Sequence, residues 1–116
     1  MSQIDVERTL RALDGNNELL RDLASMFVED APKLFEQLRS ALSERQPMKA
    51  RSAVHSLKGL AATFFAKTSV DLAQRLEDAA ACGDLELFAC GELDRLEVHI
   101  AELTAECAAL ACVDRP

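Results

Sequence analysis

The chain of 116 residues contains no tryptophan and no tyrosine, and only 4% of its residues are aromatic. Glycine and proline are also scarce, with four and three residues, and β-branched residues, which favour strands, are few. Alanine, leucine, glutamate and arginine dominate instead, and these are strong helix formers. The composition therefore predicts an all-α protein, and the length predicts a single domain over residues 1–116.

Long apolar runs are missing as well. No segment approaches the roughly 20 apolar residues of a transmembrane helix, and the acidic start of the chain lacks the apolar core of a signal peptide. We therefore expect a cytoplasmic protein without a membrane partner.

The net charge of the chain is negative. Lys and Arg total 13 against 20 Asp and Glu, which gives a net charge of −7. Because nucleic acids are bound mainly by Lys and Arg, this balance argues against a nucleic-acid partner.

The four cysteines lack the spacing of a metal site. Cys82, Cys90, Cys107 and Cys112 form no Cys-x-x-Cys pair and have no histidine nearby, so we expect small core or surface residues in a reducing compartment. The sequence also has no glycine-rich phosphate loop and no carboxylate set for magnesium. We expect no metal, no cofactor and no kinase activity of its own.

Turn formers and prolines divide the first half of the chain into helices. The segment Asp5–Leu13 is predicted to form a short first helix, followed by a long second one. Pro32 lies inside the second helix and predicts a kink or a restart at Asp30. Pro47 is well placed in the first turn of a third helix that runs to about Phe65.

Capping residues place the fourth helix. The segment 67–69 is predicted to be a short connection in which Thr68 or Ser69 caps this helix. Gly83 suits the left-handed position after the helix ends, and Asp84 can cap the element that follows.

The last helix has the most regular pattern in the chain. Its apolar residues are separated alternately by four and three positions: Ala89, Leu93, Leu96, Ile100, Leu103, Cys107 and Leu110. This heptad seam could pack inside a bundle or form a coiled-coil dimer. Because the other helices are amphipathic and need partners too, we favour an antiparallel four-helix bundle with a short N-terminal capping helix.

Helical-wheel positions in the third helix separate two faces, at about 100° per residue. The arc predicted to face the core consists of Val54, Leu57, Ala61 and Phe64. Ser52, His55 and Gly59 lie opposite this arc, so His55 is predicted to point into solvent. A glycine inside a helix costs about 1 kcal/mol relative to alanine. Close approach by a partner would explain why Gly59 is there.

This third helix is basic although the protein is acidic. Five basic residues and no acidic ones stand between positions 45 and 67: Arg45, Lys49, Arg51, Lys58 and Lys67. The stretch carries +5, so the rest of the chain carries −12, because the total is −7. Such a surface could bind a small anion such as a phosphoryl group. An ordinary solvated helix face would have the same composition.

The stretch Ala53-Val54-His55-Ser56-Leu57-Lys58-Gly59-Leu60-Ala61-Ala62 closely resembles the active helix of histidine-containing phosphotransfer (HPt) domains, whose core pattern is His-x-x-Lys-Gly. The resemblance covers nearly the whole chain, with similar residues at Ile4-Asp5-Val6, Phe27-Val28-Glu29-Asp30-Ala31-Pro32, Leu76-Glu77 and Gly83-Asp84. Phe65 departs from the pattern, because many members have glycine ten residues after the histidine. This departure bears on how the third helix ends.

The resemblance implies that His55 is phosphorylated and that Lys58 steadies the phosphoryl charge. It also implies that Gly59 makes room for the docking partner. Ser52 is small and lies on the same face, and we expect Ser52 and Ala62 to contact the partner as well. Imidazole has a reference pKa of about 6.5, so at neutral pH much of it offers a free lone pair. It can therefore attack the acyl phosphate of a receiver-domain aspartate and pass the group onward.

Glu77 stands where some members of the family use a glutamine that hydrogen-bonds to the histidine. Its carboxylate could orient one ring nitrogen of His55, or it could be an ordinary surface charge. We expect a monomeric phosphotransfer protein of a multistep two-component phosphorelay, whose partners are response-regulator receiver domains and a hybrid sensor histidine kinase. The alternative is a helical interaction module that binds a signalling partner without phosphotransfer.

Overall fold

A computed structural model of the protein describes residues 3–112, except for the side chains of Cys90 and Cys112. Within this range the protein is all-α, with no strand. The helices are α1 (Val6–Ala12), α2 (Asn17–Ser43), α3 (Pro47–Thr63), α4 (Lys67–Ala81) and α5 (Leu93–Cys112), and a π-helical turn (Phe88–Glu92) leads into α5. None of these helices is both long and apolar enough to cross a membrane.

The four longer helices form the predicted bundle. Helix α2 packs against α3 and α5, and α4 packs against the same two helices, which closes a ring of four. Short turns join α2 to α3 and α3 to α4, so these neighbours are antiparallel. The bundle measures 46 × 22 × 22 Å. Helix α1 lies across one end, where the Asp5 N–H donates to the Phe64 carbonyl over 3.1 Å.

The predicted core arc of α3 is confirmed. Val54, Leu57, Ala61 and Phe64 are all buried, and the Phe64 ring meets the Phe27 ring of α2 edge to face, with centroids 5.8 Å apart. These contacts fix the rotation of α3 about its axis. The opposite face, which carries His55, is thereby turned into solvent.

Helix α2 runs without interruption through Pro32, so the predicted restart at Asp30 is wrong. A proline inside a helix removes one backbone hydrogen bond and costs about 3 kcal/mol. Here Pro32 is exposed, while Ala31 directly before it and Phe35 three residues after it are buried. Burial on both sides of Pro32 therefore outweighs the local cost and keeps the helix continuous.

The turn between α3 and α4 is tighter than predicted. Helix α4 begins at Lys67 after Ala66, with no side-chain cap, so the proposed cap by Thr68 or Ser69 is wrong. Phe65 adopts a left-handed conformation (φ +54°), and the N–H of Ala66 donates to the carbonyl of Ala61 over 3.2 Å. This closes α3 within a few residues. Ser69 consequently falls in the first turn of α4 on its buried face.

The other end of α4 follows the prediction. Gly83 is left-handed (φ +77°), and the Asp84 carboxylate accepts a hydrogen bond from the Glu86 N–H over 3.0 Å.

Two cysteines are free thiols in different surroundings. Cys82 lies exposed at this end of α4, and Cys107 is buried in α5. Burial, assisted by the Glu106 carboxylate, raises the pKa of Cys107 to about 12.

The heptad seam is used inside the bundle rather than for a coiled-coil dimer. Its central residues are buried against the protein's own helices: Leu96, Ile100, Leu103 and Cys107. Ala89, the first residue of the predicted seam, is exposed, whereas Phe88 is buried. The π-helical turn explains the difference, because a wider turn shifts the register of the residues before it.

Candidate functional site

The exposed face of α3 carries His55 at its centre. The side chain of His55 is 65% exposed. The three residues predicted to face a partner, Ser52, Gly59 and Ala62, are exposed as well. Together with His55 they follow spacings of three and four residues, which place them on one side of a helix.

Met48 extends this face by two turns toward the start of α3. It is 63% exposed, the highest value among the large apolar side chains of the described residues. Met48, Arg51 and Ser52 line a shallow groove together with His55 and Glu77. The sequence analysis missed Met48, although its position seven residues before His55 was a usable signal.

Glu77 of α4 contacts His55 from the buried boundary between α3 and α4. Its side chain is only 10% exposed, and its Oε2 lies 3.1 Å from Nδ1 of His55. Its Oε1 lies 2.8 Å from the ammonium of Lys58. One carboxylate thus contacts both side chains of the His-x-x-Lys pair, because Glu77 packs at the boundary between α3 and α4.

Lys58 is held by α4 on two sides. Its side chain is 22% exposed, and besides its contact with Glu77 its ammonium donates to Oε1 of Gln74 over 2.8 Å. The amide nitrogen of Gln74 donates in turn to Asp78 over 2.8 Å. The sequence analysis also missed Gln74, whose signal was its place one helical turn before Glu77.

The protonation state of Glu77 follows from these contacts. Burial raises its pKa, but the hydrogen bonds and charges of Lys58 and His55 outweigh burial and hold the pKa below its ordinary value. Glu77 is therefore ionised at neutral pH. An ionised carboxylate only accepts hydrogen bonds, so the 3.1 Å contact requires a proton on Nδ1 of His55. The lone pair of the neutral ring then lies on Nε2.

In the folded protein, acidic side chains of α4 neutralise part of the positive charge that the sequence places between residues 45 and 67. The charge of Lys58 is offset by Glu77, and Lys67 pairs with Asp71 at 3.1 Å, away from the groove. Arg51 lies in the groove itself. Lys49 lines a neighbouring groove toward α2 that also contains Ser52. The positive charge near His55 is therefore concentrated toward the start of α3.

Comparison with known proteins identifies the family. The model of the Hpt domain matches residues 22–111. The fold is similar to the crystal structure of histidine-containing phosphotransfer protein B (HptB) from Pseudomonas aeruginosa PAO1, with a TM-score of 0.85, 23% sequence identity and 97% of each chain covered. The comparison with curated proteins gave no match. Because the family match spans well over half of the chain, this protein belongs to the Hpt domain family, whose members carry phosphoryl groups in phosphorelays.

Proposed function

We propose that this protein accepts a phosphoryl group on His55 from the aspartate of one receiver domain and passes it to the aspartate of another. The observation that carries the proposal is the exposed imidazole whose Nδ1 is held by an ionised carboxylate. That contact leaves Nε2 as the nitrogen with a free lone pair. Family membership gives the class of reaction, and this geometry supports His55 as the residue that performs it.

We assign the exposed face of α3 to receiver docking. Ser52, Gly59 and Ala62 surround His55 with small side chains, which let a second protein bring its aspartate close to the ring. A Cβ added at Gly59 would meet no atom within 4 Å. The fold itself therefore does not require glycine here, although glycine weakens the helix by about 1 kcal/mol. A partner that covers this position would account for it.

We assign Lys58 the role of the cation that contacts the phosphoryl group, although Glu77 offsets its charge in the resting protein. Its ammonium lies within the same cluster as the ring, since both contact Glu77. The proposed role is to offset the phosphoryl charge as it arrives on His55, and charge-assisted contacts of this kind are the stronger class of hydrogen bond. Contacts with Glu77 and Gln74 hold the ammonium of Lys58 beside α4 before the group arrives.

The proposed partners are response-regulator receiver domains and a hybrid sensor histidine kinase, and the proposed state is a monomeric single domain acting in the cytoplasm. The competing proposal is a bundle that binds such partners without transfer. The two differ in whether a phosphohistidine forms. They also differ in whether replacing His55 changes the chemistry or only the affinity.

Phosphotransfer from a panel of phosphorylated receiver domains of the source cell tests the assignment. We expect an acid-labile, base-stable label on the protein that is lost in His55→Gln. The matched control is His99→Gln, which replaces the half-buried second histidine, near Gln3, and should keep the label. A label retained in His55→Gln would overturn the assignment. Binding of receivers without any label on the unaltered protein would favour the interaction module.

A further inference from the structure

We propose that Lys49 and Arg51 are specificity-determining residues: they select a receiver with an acidic surface beside its phosphorylated aspartate and speed its docking onto the exposed face of α3. This inference rests on the proposed function of His55 and goes beyond it, because it names the chemistry of the partner's surface. It also gives a role to the basic stretch between residues 45 and 67, of which the proposed function uses Lys58 alone.

Lys49 and Arg51 lie on opposite sides of Ser52. Ser52 lines two grooves, one of which also contains Arg51 and His55, whereas the other contains Lys49. Both basic residues are exposed. On the helical wheel of α3 they are about 160° apart, with Ser52 and His55 between them. A partner that covers His55 therefore meets a positive charge on each side of the ring.

The charges of Lys49 and Arg51 are not neutralised within the folded protein. In the part of the chain that the structure describes, neither residue takes part in an ion pair, although 20 acidic residues stand against 13 basic ones. Lys58 and Lys67 of the same basic stretch pair with acidic residues of α4 instead. Glu44 lines the groove of Lys49 but does not pair with it. An acidic protein thus leaves two positive charges free beside its proposed nucleophile.

The charge of the transferred group indicates which partner this surface fits. A phosphoryl group carries roughly one and a half to two negative charges near neutral pH, and acidic side chains beside it add to them. Because the protein carries −7 in total, most of its surface repels such a partner, and the sides of the His55 face attract it. A basic partner would instead bind best on the acidic surfaces elsewhere on the protein. The free charges of Lys49 and Arg51 therefore favour an acidic partner and reject a basic one.

Exposed charges at the edge of an interface act mainly on the rate of association. They attract an oppositely charged partner during diffusional encounter, and salt screens this attraction. Among the described residues, neither Lys49 nor Arg51 has a hydrogen bond or ion pair with His55. We therefore expect the two residues to change how fast a receiver docks and to leave the chemistry of the imidazole unchanged.

Stopped-flow association with one receiver domain tests the inference. The unaltered protein and the double variant Lys49→Gln/Arg51→Gln are compared between about 20 mM and 500 mM NaCl. We expect the association rate constant of the variant to be about 3- to 10-fold lower at the low salt concentration, and the difference to disappear at the high one. The dissociation rate constant should change by less than about twofold.

Two further variants separate charge from position and from shape. Arg11→Gln/Lys67→Gln removes the same two residue types from exposed ion pairs of α1 and α4, outside both grooves. Its association rate should stay close to that of the unaltered protein at every salt concentration. The exchange Lys49→Arg/Arg51→Lys keeps both charges and should keep most of the rate, because long-range attraction depends on charge.

The outcomes that would overturn the inference are specific. One is an equal loss of association rate in the two glutamine variants, and another is a loss in Lys49→Gln/Arg51→Gln that persists at high salt. A matching loss of phosphorylation by phosphoramidate would show that the two residues bind the phosphoryl group itself. If the double variant does not fold, Arg51→Gln alone should show part of the salt-dependent loss. Absence of any phosphohistidine on the unaltered protein would instead contradict the proposed function.

Discussion

The ammonium of Lys58 lies 2.8 Å from Oε1 of Glu77, so the resting protein holds its proposed phosphate-binding cation in an ion pair beside the nucleophile. The same carboxylate contacts Nδ1 of His55. Arrival of a phosphoryl group therefore adds negative charge to a cluster that already contains one anion and one cation. The ammonium of Lys58 must then contact both Glu77 and the phosphoryl oxygens, or leave Glu77 to contact the phosphoryl group.

Replacing Lys58 with alanine should affect both transfer and stability. We expect the phosphotransfer rate to fall by about 10- to 100-fold, because one charge-assisted contact is lost. The free energy of unfolding should fall by about 1–3 kcal/mol, since a mostly buried Glu77 loses its counter-charge. Rates at saturating receiver and urea unfolding curves measure the two effects.

The control for this prediction is Lys67→Ala, which removes an exposed lysine paired with Asp71. Exposed pairs contribute little, so both its rate and its stability should stay close to the original. An unchanged transfer rate in folded Lys58→Ala would show that Lys58 only stabilises the bundle.

Glu77→Gln should make the free energy of unfolding change less as the pH falls below about 5. The Lys58 and His55 contacts hold the pKa of Glu77 below its ordinary value despite burial. The folded state therefore binds this proton more weakly than the unfolded state. The resulting stabilisation is complete above the ordinary value of 4.5 and is lost as pH falls through the lower pKa of the folded state.

The unfolding free energies of the two proteins should accordingly differ most near pH 7, with the original protein more stable by about 1 kcal/mol. The difference should shrink between pH 5 and pH 3. Urea unfolding at several pH values measures it. A difference that grows toward pH 3 would contradict the protonation state assigned to Glu77.

Arg45→Gly should stabilise the protein. Arg45 ends α2 in a left-handed conformation (φ +53°), and the N–H of Gln46 donates back to the Ala41 carbonyl over 2.9 Å. A left-handed conformation costs a residue with a Cβ about 1–2 kcal/mol, and glycine avoids this cost. Glycine also loses more conformational entropy on folding, which cancels part of the gain. We therefore expect a gain of about 0.5–1 kcal/mol in unfolding free energy.

Phe65→Gly provides the comparison for this prediction. Phe65 is left-handed too (φ +54°), but the guanidinium of Arg8 lies 4.7 Å from the centroid of its ring. Cation–π contacts at partly exposed sites contribute about 0.5–1 kcal/mol, so the gain at Phe65 should be smaller or absent. A destabilised Arg45→Gly would show that the arginine side chain has a stabilising contact of similar size.

Local patterns were sufficient to predict the exposed position of His55. The 3.6-residue period of α3 depends only on the order of its residues, and burial of Val54 and Leu57 follows from that order. The cap at Asp84 and the left-handed Gly83 were predictable for the same reason. These features need no knowledge of how the helices are arranged.

Features set by packing between helices could not be predicted in this way. The continuity of α2 at Pro32 depends on burial against other helices, and the exposure of Ala89 depends on a π-helical turn without a sequence signal. The contact of Glu77 with Lys58 requires the distance between α3 and α4. Family resemblance indicated Glu77, but the sequence left its role as a surface charge equally open.

Met48→Ser should weaken receiver binding without changing the chemistry. Met48 is exposed in the groove that contains His55, and burying its side chain under a receiver would contribute about 1 kcal/mol or more. We expect the dissociation constant for a receiver to rise about 5- to 10-fold. Met26→Ser is the control, since Met26 is 52% exposed on α2 and does not line this groove. Equal effects of the two substitutions would place docking elsewhere.

Gly59→Gln should separate docking from stability. Gly59 is exposed, and a side chain there would meet no other atom within 4 Å of its Cβ. Helix propensity should therefore rise by several tenths of a kcal/mol, and thermal stability should hold or improve. The longer side chain would stand one turn from His55, on the surface that a receiver has to cover. Receiver affinity and the transfer rate should fall together, whereas slow phosphorylation by a small donor such as phosphoramidate should persist.

The control for this prediction is Gly59→Ala. It adds a single methyl group, so it should stabilise the helix with a much smaller loss of affinity. If Gly59→Gln bound receivers as tightly as the original protein, the docking surface would have to lie on another side of α3.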